Sequence, residues 1–568
     1  MLNLKKFLSV LRKTGELVDV MFPVDPYLEI AEIHRRVVAA NGPALLFHSV
    51  KGSSFPVATN LFGSFKRINL ALGPFSSKTI TSLLEFLEDP SFSTVSKYTK
   101  RVKKVLAPSF SSFLLEGWDR CSQKTFCIKD LPLLTNWAFE GTPSLSFPFI
   151  STHYPSHHHY LQSNQLQYLN DNVTYLHDPF FLEKKNSLGK TSLPITICLG
   201  GPPLLTILSM LPVPKHLSQL LISSLLRTPS LKSSHAHSAF PDICFQNHEF
   251  VLRGSCSYNL IQPLPPYGDS NGYYNINSQG SLFHCQSIYH KKNAIYPATV
   301  FGKPKQENFY IQNYLQELVT PIISTLIPEI QDLYQYAESG LNNVTSIVIK
   351  KNYIDPPLST ALKLLSQEPF TSTKIVFITN ERINLKNFKE LLTHILKHFN
   401  PKNNFLILPM TSKYSQINHS KAIFIGLGEK NHSLSNEFNE SLRAMIKSYA
   451  VFCPGCLVIE IINGTTLEEL SQFFNAHKWP LIIIVDSIKK TLNNECAFLW
   501  HVFTHLQPDQ DIYLKANEIK SIILDTRKKK SHPPELLCDQ STELTVTQKW
   551  LRYFPNGMEA GDSDLGNC

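Results

Sequence analysis

Two apolar runs in the last third of the chain, Lys374-Ile-Val-Phe-Ile-Thr379 and Leu481-Ile-Ile-Ile-Val-Asp486, stand at an offset of 107 residues, which also brings His398-Phe-Asn-Pro401 onto His505-Leu-Gln-Pro508. Two segments sharing one offset are harder to attribute to chance than one. Each copy reads strand, helix, proline stop, strand, the pattern of a parallel α/β layer packed under crossover helices. A coincidental likeness between two βα units is the alternative.

A chain of 568 residues is too long for one core and divides into three or four domains of ordinary size. With 43% apolar and 17% charged residues it has the composition of a globular protein, and 37 Pro against 23 Gly favour fixed turns over floppy linkers. The net charge of +9 is dispersed, and its densest run, Arg527 to Lys530, reads as a solvated face; no nucleic-acid partner is expected. Near the N-terminus, Leu4, Phe7, Leu8 and Leu11 recur at helical spacing with polar residues between them. That pattern leaves no continuous signal-peptide core, so the expectation is a cytoplasmic protein. The apolar stretches 195–211 and 481–485 are interrupted or too short to span a bilayer, which leaves peripheral membrane contact open. The eleven cysteines sit mostly in apolar stretches, as reduced core thiols do, and Cys453-Pro-Gly-Cys456 lacks the second pair of a zinc site.

Along the chain, residues 1–73 alternate helix and strand: a helix ending at Gly15, an extended 17–26, a helix over 27–39 and a strand over 43–48. A largely helical stretch follows, reaching a strand at 131–134. From there to about 305, short strands punctuated by Gly, Pro and Asn predict an antiparallel barrel or sandwich, interrupted by one helix between Pro214 and Leu226. The tail beyond Lys530 has few apolar residues and is expected to be loosely ordered apart from 550–554.

Chemistry concentrates in Pro265-Pro-Tyr-Gly-Asp-Ser-Asn-Gly-Tyr-Tyr274. Asp269 follows a Gly inside a polar aromatic turn, where an acid/base group can meet a substrate, and Tyr267, Tyr273 and Tyr274 can wall a pocket. Tyr-Gly-Asp is also common loop chemistry, so a surface loop remains the competing reading. His153 and His157-His158-His159 invite a metal, but neighbouring residues on a strand point to opposite faces. Three consecutive His therefore cannot all face one ion in extended structure.

Several stretches together resemble the UbiD family of prenylated-flavin-dependent reversible decarboxylases. In order they are Gly15-Glu-Leu17, Val24-Asp-Pro26, Gly42-Pro-Ala-Leu-Leu-Phe47, Asn60-Leu-Phe-Gly63 with Lys66-Arg67, Cys198-Leu-Gly-Gly-Pro202, Leu211-Pro-Val-Pro214, Leu225-Leu-Arg227, the Tyr-Gly-Asp decapeptide, Ala294-Ile-Tyr296 and Ile349-Lys-Lys351. The resemblance covers roughly residues 1–405. It implies an α+β protein with an N-terminal α/β domain (1–110), a central split β-barrel flavin-binding domain (111–325) and a C-terminal α/β domain. The last would hold both βα repeats (326–430 and 431–535), followed by a tail (536–568). It implies prenylated FMN held through its phosphate by a divalent metal (Mn or Mg) and K, an aromatic or α,β-unsaturated acid as substrate, a homo-oligomer, and a flavin prenyltransferase as cofactor supplier. In such chemistry the cofactor is the electron sink, and the protein supplies position, charge and one proton.

Residue by residue, the resemblance places Asp269 at the proton-donating acid and Asn164 at a metal-binding Asn. Tyr168, Tyr175, Leu176 and His177 fall on flavin-contacting positions, with His177 also a metal ligand in some members. Three positions depart. Leu169 stands where the family has an Arg that polarises the substrate carboxylate, and Leu264 replaces the Glu that pairs with it. Arg253, in Leu252-Arg253-Gly254, replaces a metal-binding Glu, and a cation cannot ligate a divalent metal. Two functions follow: a carboxy-lyase acting on an aromatic acid, such as a quinone precursor, or a degenerate member serving as a ligand-binding or partner subunit.

Overall fold

A computed structural model describes residues 2–73, 127–153, 158–162, 165–170, 173–176, 192–210, 248–340, 342–352, 356–367, 370–400, 403–409, 420–438, 445–514 and 521–562. The chain forms two compact units: one comprises Met1–Leu211, Lys215–Leu315 and Pro533–Asn567, and the other centres on Gln316–His532.

The first unit begins with the helix Leu4–Lys13, which buries Leu4, Phe7, Leu8 and Leu11, as their spacing predicts. The Asn3 side chain caps it by accepting from the Lys6 amide at 2.9 Å. The strand Leu17–Val20 then pairs in parallel with Ala44–Phe47, and the helix Glu29–Ala39 connects them. The strand expected at 131–134 reduces to a bridge between Leu134 and Ser144, because Pro132 has no amide to give a ladder.

An eight-stranded sheet follows, in the order Ser144–Ser146, Gln165–Asn170, Val173–Leu176, Gln279–His290, Phe250–Pro263, Ser192–Leu199, Phe149–His153, His158–Gln162. Its neighbouring strands are antiparallel throughout, the arrangement expected for this region. One face sends Phe250, Leu252, Cys256 and Phe283 into a core shared with Leu45, Phe47 and Ile33 of the N-terminal elements. A Cβ on Gly254 would lie 1.9 Å from the His284 carbonyl oxygen, so glycine is required where these strands press together. The helix expected between Pro214 and Leu226 lies outside the described residues.

The second unit holds two five-stranded sheets with the same order and strand directions. In the first, Ile330–Gln335 is antiparallel to Val344–Ile349, Ile375–Thr379 and Lys421–Gly426 continue in parallel, and Phe405–Leu408 closes the edge antiparallel. In the second the same roles fall to Ile446–Cys453, Cys456–Ile461, Leu481–Ile484, Ile522–Asp525 and Ile512–Tyr513. The helices Phe388–His398 and Glu495–His505 keep the 107-residue offset. Both repeats contribute to one core, in which the Phe452 and Phe498 rings stack 3.5 Å apart.

Cys453 and Cys456 face each other across a two-residue hairpin turn as buried free thiols, and burial raises the Cys456 thiol, which makes it inert. Among the described residues no group of three His, Cys, Asp or Glu could hold a metal ion, and no helix is long and apolar enough to cross a membrane. Arg527 pairs with Asp525 and Lys529 with Asp511, so half of the basic run is committed locally.

The C-terminal segment differs from expectation. Residues Gln540–Tyr553 form a helix capped by Asp539, whose carboxylate accepts from the Thr542 amide at 2.8 Å. That helix docks on Glu29–Ala39. Arg36 donates to Thr547 Oγ1 (2.8 Å) and the Glu543 carbonyl (2.9 Å), while Lys549 Nζ and Tyr553 Oη reach Glu29 Oε1.

Candidate active site around Asp269

Tyr267–Gly268 and Tyr274–Asn275 pair antiparallel, making the decapeptide a small hairpin with Asp269 at its turn. Gly272 has φ +89°, a conformation that favours glycine. Gly268 is needed for another reason: a Cβ there would lie 2.5 Å from Trp137 Cδ1. Asp269 Oδ1 accepts from the amides of Asn271 (2.9 Å) and Tyr273 (3.2 Å), and Oδ2 accepts from Asn271 Nδ2 at 3.3 Å. These bonds favour the ionised form, yet burial outweighs them and holds the carboxyl above its ordinary range. The side chain still keeps a partly exposed edge. A carboxyl so placed can carry a proton and release it.

An apolar cluster packs against Tyr267, two residues before Asp269: Val173, Leu264 and Leu282, with Leu169 also packed against them. The structure therefore places Leu169 against the cluster that holds Leu264. At the two positions where the resemblance expects an Arg–Glu pair, the chain has two members of one apolar cluster, a coherent exchange, because one buried charge left without the other would cost several kcal/mol, about 3–5. Tyr267 Oη lies 3.3 Å from Ser278 Oγ, and burial raises its phenol.

Glu140 was not anticipated from the sequence. Its Oε2 accepts from the amides of Asn136 (2.6 Å) and Trp137 (3.4 Å), and its Oε1 accepts from the Gly268 amide at 3.1 Å, next to Asp269. The Gly141 amide adds a bond to the Pro266 carbonyl at 2.8 Å. Arg35 braces this turn, with its guanidinium 4.2 Å from the Trp137 ring centroid and Nη1 bonded to the Asn136 carbonyl at 2.9 Å. The available signal was an acid four residues beyond Asn136 in a segment ending Gly-Thr-Pro, a loop acid able to close on its own turn.

Burial pushes the Glu140 carboxyl up to about 7 despite its backbone donors. Because the folded value exceeds the unfolded one of about 4.3, its contribution to stability is fully present below the unfolded value and is lost as pH rises through about 7. Unfolding free energy measured against pH should therefore fall over that window in the native protein, and more shallowly in Glu140→Gln.

Of the other expected residues, Tyr168 is partly buried against the core shared with the N-terminal elements. Tyr175 and Leu176 fall on the strand Val173–Leu176, where only the backbone is described. Asn164 and His177 lie outside the described residues, as does His157. Arg253 sits opposite Thr196 and Ser287 in the sheet, with its guanidinium 5.5 Å from the Tyr289 ring centroid. Residues directly opposite on neighbouring strands share a face. Thr196 is fully buried, and its Oγ1 has no hydrogen-bond partner. A guanidinium on the same face of the sheet as a buried hydroxyl suits a phosphate oxygen and does not suit a divalent cation. The described residues thus fit the phosphate of a nucleotide-like cofactor at this position and do not fit its metal there.

The comparisons with known proteins agree with this architecture. Three domain models of 3-octaprenyl-4-hydroxybenzoate carboxy-lyase match in sequence order: the N-terminal domain over residues 8–87, the Rift-related domain over 118–304 and the C-terminal domain over 309–426. An uncharacterized protein of Chlamydia trachomatis is 34% identical, covering 98% of this chain and all of its own length. A Chlamydia pneumoniae protein, named as one subunit of a 4-hydroxybenzoate decarboxylase, is 33% identical over 97% of this chain and 98% of its own. Among solved structures, the closed form of Sedimentibacter hydroxybenzoicus vanillic acid decarboxylase has a TM-score of 0.58 at 19% identity, covering 78% of this chain and 95% of its own. The UbiD-class enzyme HmfF from Pelotomaculum thermopropionicum, solved in complex with prFMN, has a TM-score of 0.56 at 17% identity, covering 75% and 94%. With three domain models matched in order over more than half its length and near full-length relatives above 30% identity, the chain belongs to the UbiD family.

Proposed function

We propose that this protein is a carboxy-lyase that removes the carboxylate of an aromatic or α,β-unsaturated acid without oxidation, with Asp269 returning the proton. The observation that carries the proposal is the Asp269 carboxyl, whose proton affinity burial raises, in a hairpin whose Tyr267 packs against the apolar cluster of Val173, Leu264 and Leu282 that Leu169 also joins. When bound, prenylated FMN supplies the electron sink for breaking the carbon–carboxylate bond. Arg253 and Thr196 would hold its phosphate. Loss of CO2 leaves an electron pair on the substrate carbon, and Asp269 delivers the proton that replaces the carboxyl group. With no guanidinium at Leu169 to polarise the carboxylate, substrate binding rests on apolar contact, which favours a large apolar acid such as a prenylated benzoate or a naphthoate of quinone synthesis.

The packing of Leu169 against the cluster that holds Leu264 also favours a second reading: a family member that binds a ligand or a catalytic partner without turning substrate over. The relative named as part of a multi-subunit decarboxylase supports a partner of that kind. The absorbance spectrum of protein purified after co-expression with a flavin prenyltransferase separates the two. A flavin band retained through gel filtration is the expected result; a colourless protein would remove the carboxy-lyase reading.

A further inference from the structure

The segment 533–538 lies beyond the residues matched by the family's domain models, yet it is built into the Asp269 hairpin. Tyr273 and Glu535 form an antiparallel bridge. The Tyr274 amide donates to the Pro534 carbonyl at 2.8 Å, and the Leu536 amide donates to the Gly272 carbonyl at 2.9 Å. The segment therefore acts as a third strand for a hairpin of only two paired residues per side, which on its own would be marginal in water. Leu536 is buried in a cluster with Ala31, Trp137, Tyr274 and Val300. Its Cδ1 would stand 3.2 Å from a Cβ placed on Gly268, so it closes on the residue preceding Asp269. Glu535 pairs with Lys303, and the helix Gln540–Tyr553 ties the segment's far end to Glu29–Ala39.

We propose that residues 533–538 are a strap that positions the candidate proton donor, with Leu536 as its positioning residue. The inference rests on the reading of Asp269 given above, but its mechanical content does not require turnover. Two layers hold the hairpin: the Glu140 turn bonds the Gly268 amide from one direction, and the strap bonds Gly272 and Tyr274 from the other. Without the strap, the turn bearing Asp269 would keep the Glu140 bond to Gly268, the Asp269 side-chain bonds to Asn271 and Tyr273, and its internal backbone bonds, from the Asp269 amide to the Tyr273 carbonyl and from the Gly272 amide to the Asp269 carbonyl.

Hydrogen exchange on the full-length protein tests this, comparing Leu536→Ala and the milder Leu536→Val with the conservative Leu536→Met. The diagnostic amides are Asp269 and Gly272, whose bonds lie inside the hairpin and not on the strap. Their exchange should accelerate at least about tenfold in Leu536→Ala, less in Leu536→Val, and return near the native rate in Leu536→Met, reflecting local opening rather than global unfolding. Faster exchange at Tyr274 and Leu536 alone, with Asp269 and Gly272 at native rates in both truncated variants, would overturn the proposal. Because exchange is read without substrate, a strap that holds an idle Asp269 is told apart from a strap that does not hold it.

Discussion

Asp269→Asn is expected to lower decarboxylation by about 10²–10⁴-fold, the usual contribution of a positioned general acid, while leaving the hairpin intact. The amide oxygen of Asn can still accept from the Asn271 and Tyr273 amides, so the turn keeps the bonds that define it. What it loses is the transferable proton. The loss should fall on kcat with KM little changed, since Asp269 acts after the carboxylate has gone and contributes little to ground-state binding. A steady-state comparison of the two proteins reads this directly.

Glu140→Ala is expected to cost about 3 kcal/mol of stability, because it strips the acceptor from partly buried amides that each carry a penalty of about 1–3 kcal/mol when left unsatisfied. The Asn136, Trp137 and Gly268 amides all lose their partner at once. Glu140→Gln keeps one oxygen and should recover part of the loss. Chemical denaturation of the three proteins at one pH below 5 and one near 7 would separate the loss of an acceptor from the change in charge.

The parallel layers of the second unit were legible because their strands are apolar along their whole length and recur at one offset, which reports burial and repetition together. The turn of Asp269 was legible from its Gly and Tyr residues, although its hairpin pairing was not, and Gly268 proved to be required by the approach of Trp137 rather than by its own backbone angles. The helix Gln540–Tyr553 was not. Its sequence, rich in Ser and Thr, has weak intrinsic helical preference and buries only Val546 and Tyr553, so it depends on Asp539 at its start and on Arg36 and Glu29 alongside. The strap was invisible for the same reason, since its bonds to Gly272 and Tyr274 are backbone bonds across more than 250 residues, which no local pattern records. Leu169 and Leu264 could be named from sequence as departures. That they make one apolar cluster with Val173 and Leu282 is a tertiary fact.

The most direct test of the central claim is isotope exchange between ¹³C-bicarbonate and the carboxyl group of candidate aromatic and unsaturated acids, with protein co-expressed with a flavin prenyltransferase. Exchange detects reversible carbon–carboxylate cleavage without requiring net product. Label entering at least one apolar aromatic acid with the native protein, with net decarboxylation of that acid falling by the factor given above in Asp269→Asn, is the predicted result. Flavin-loaded protein that exchanges no label into any prenylated benzoate or naphthoate, or that decarboxylates equally well with Asn at 269, would contradict it.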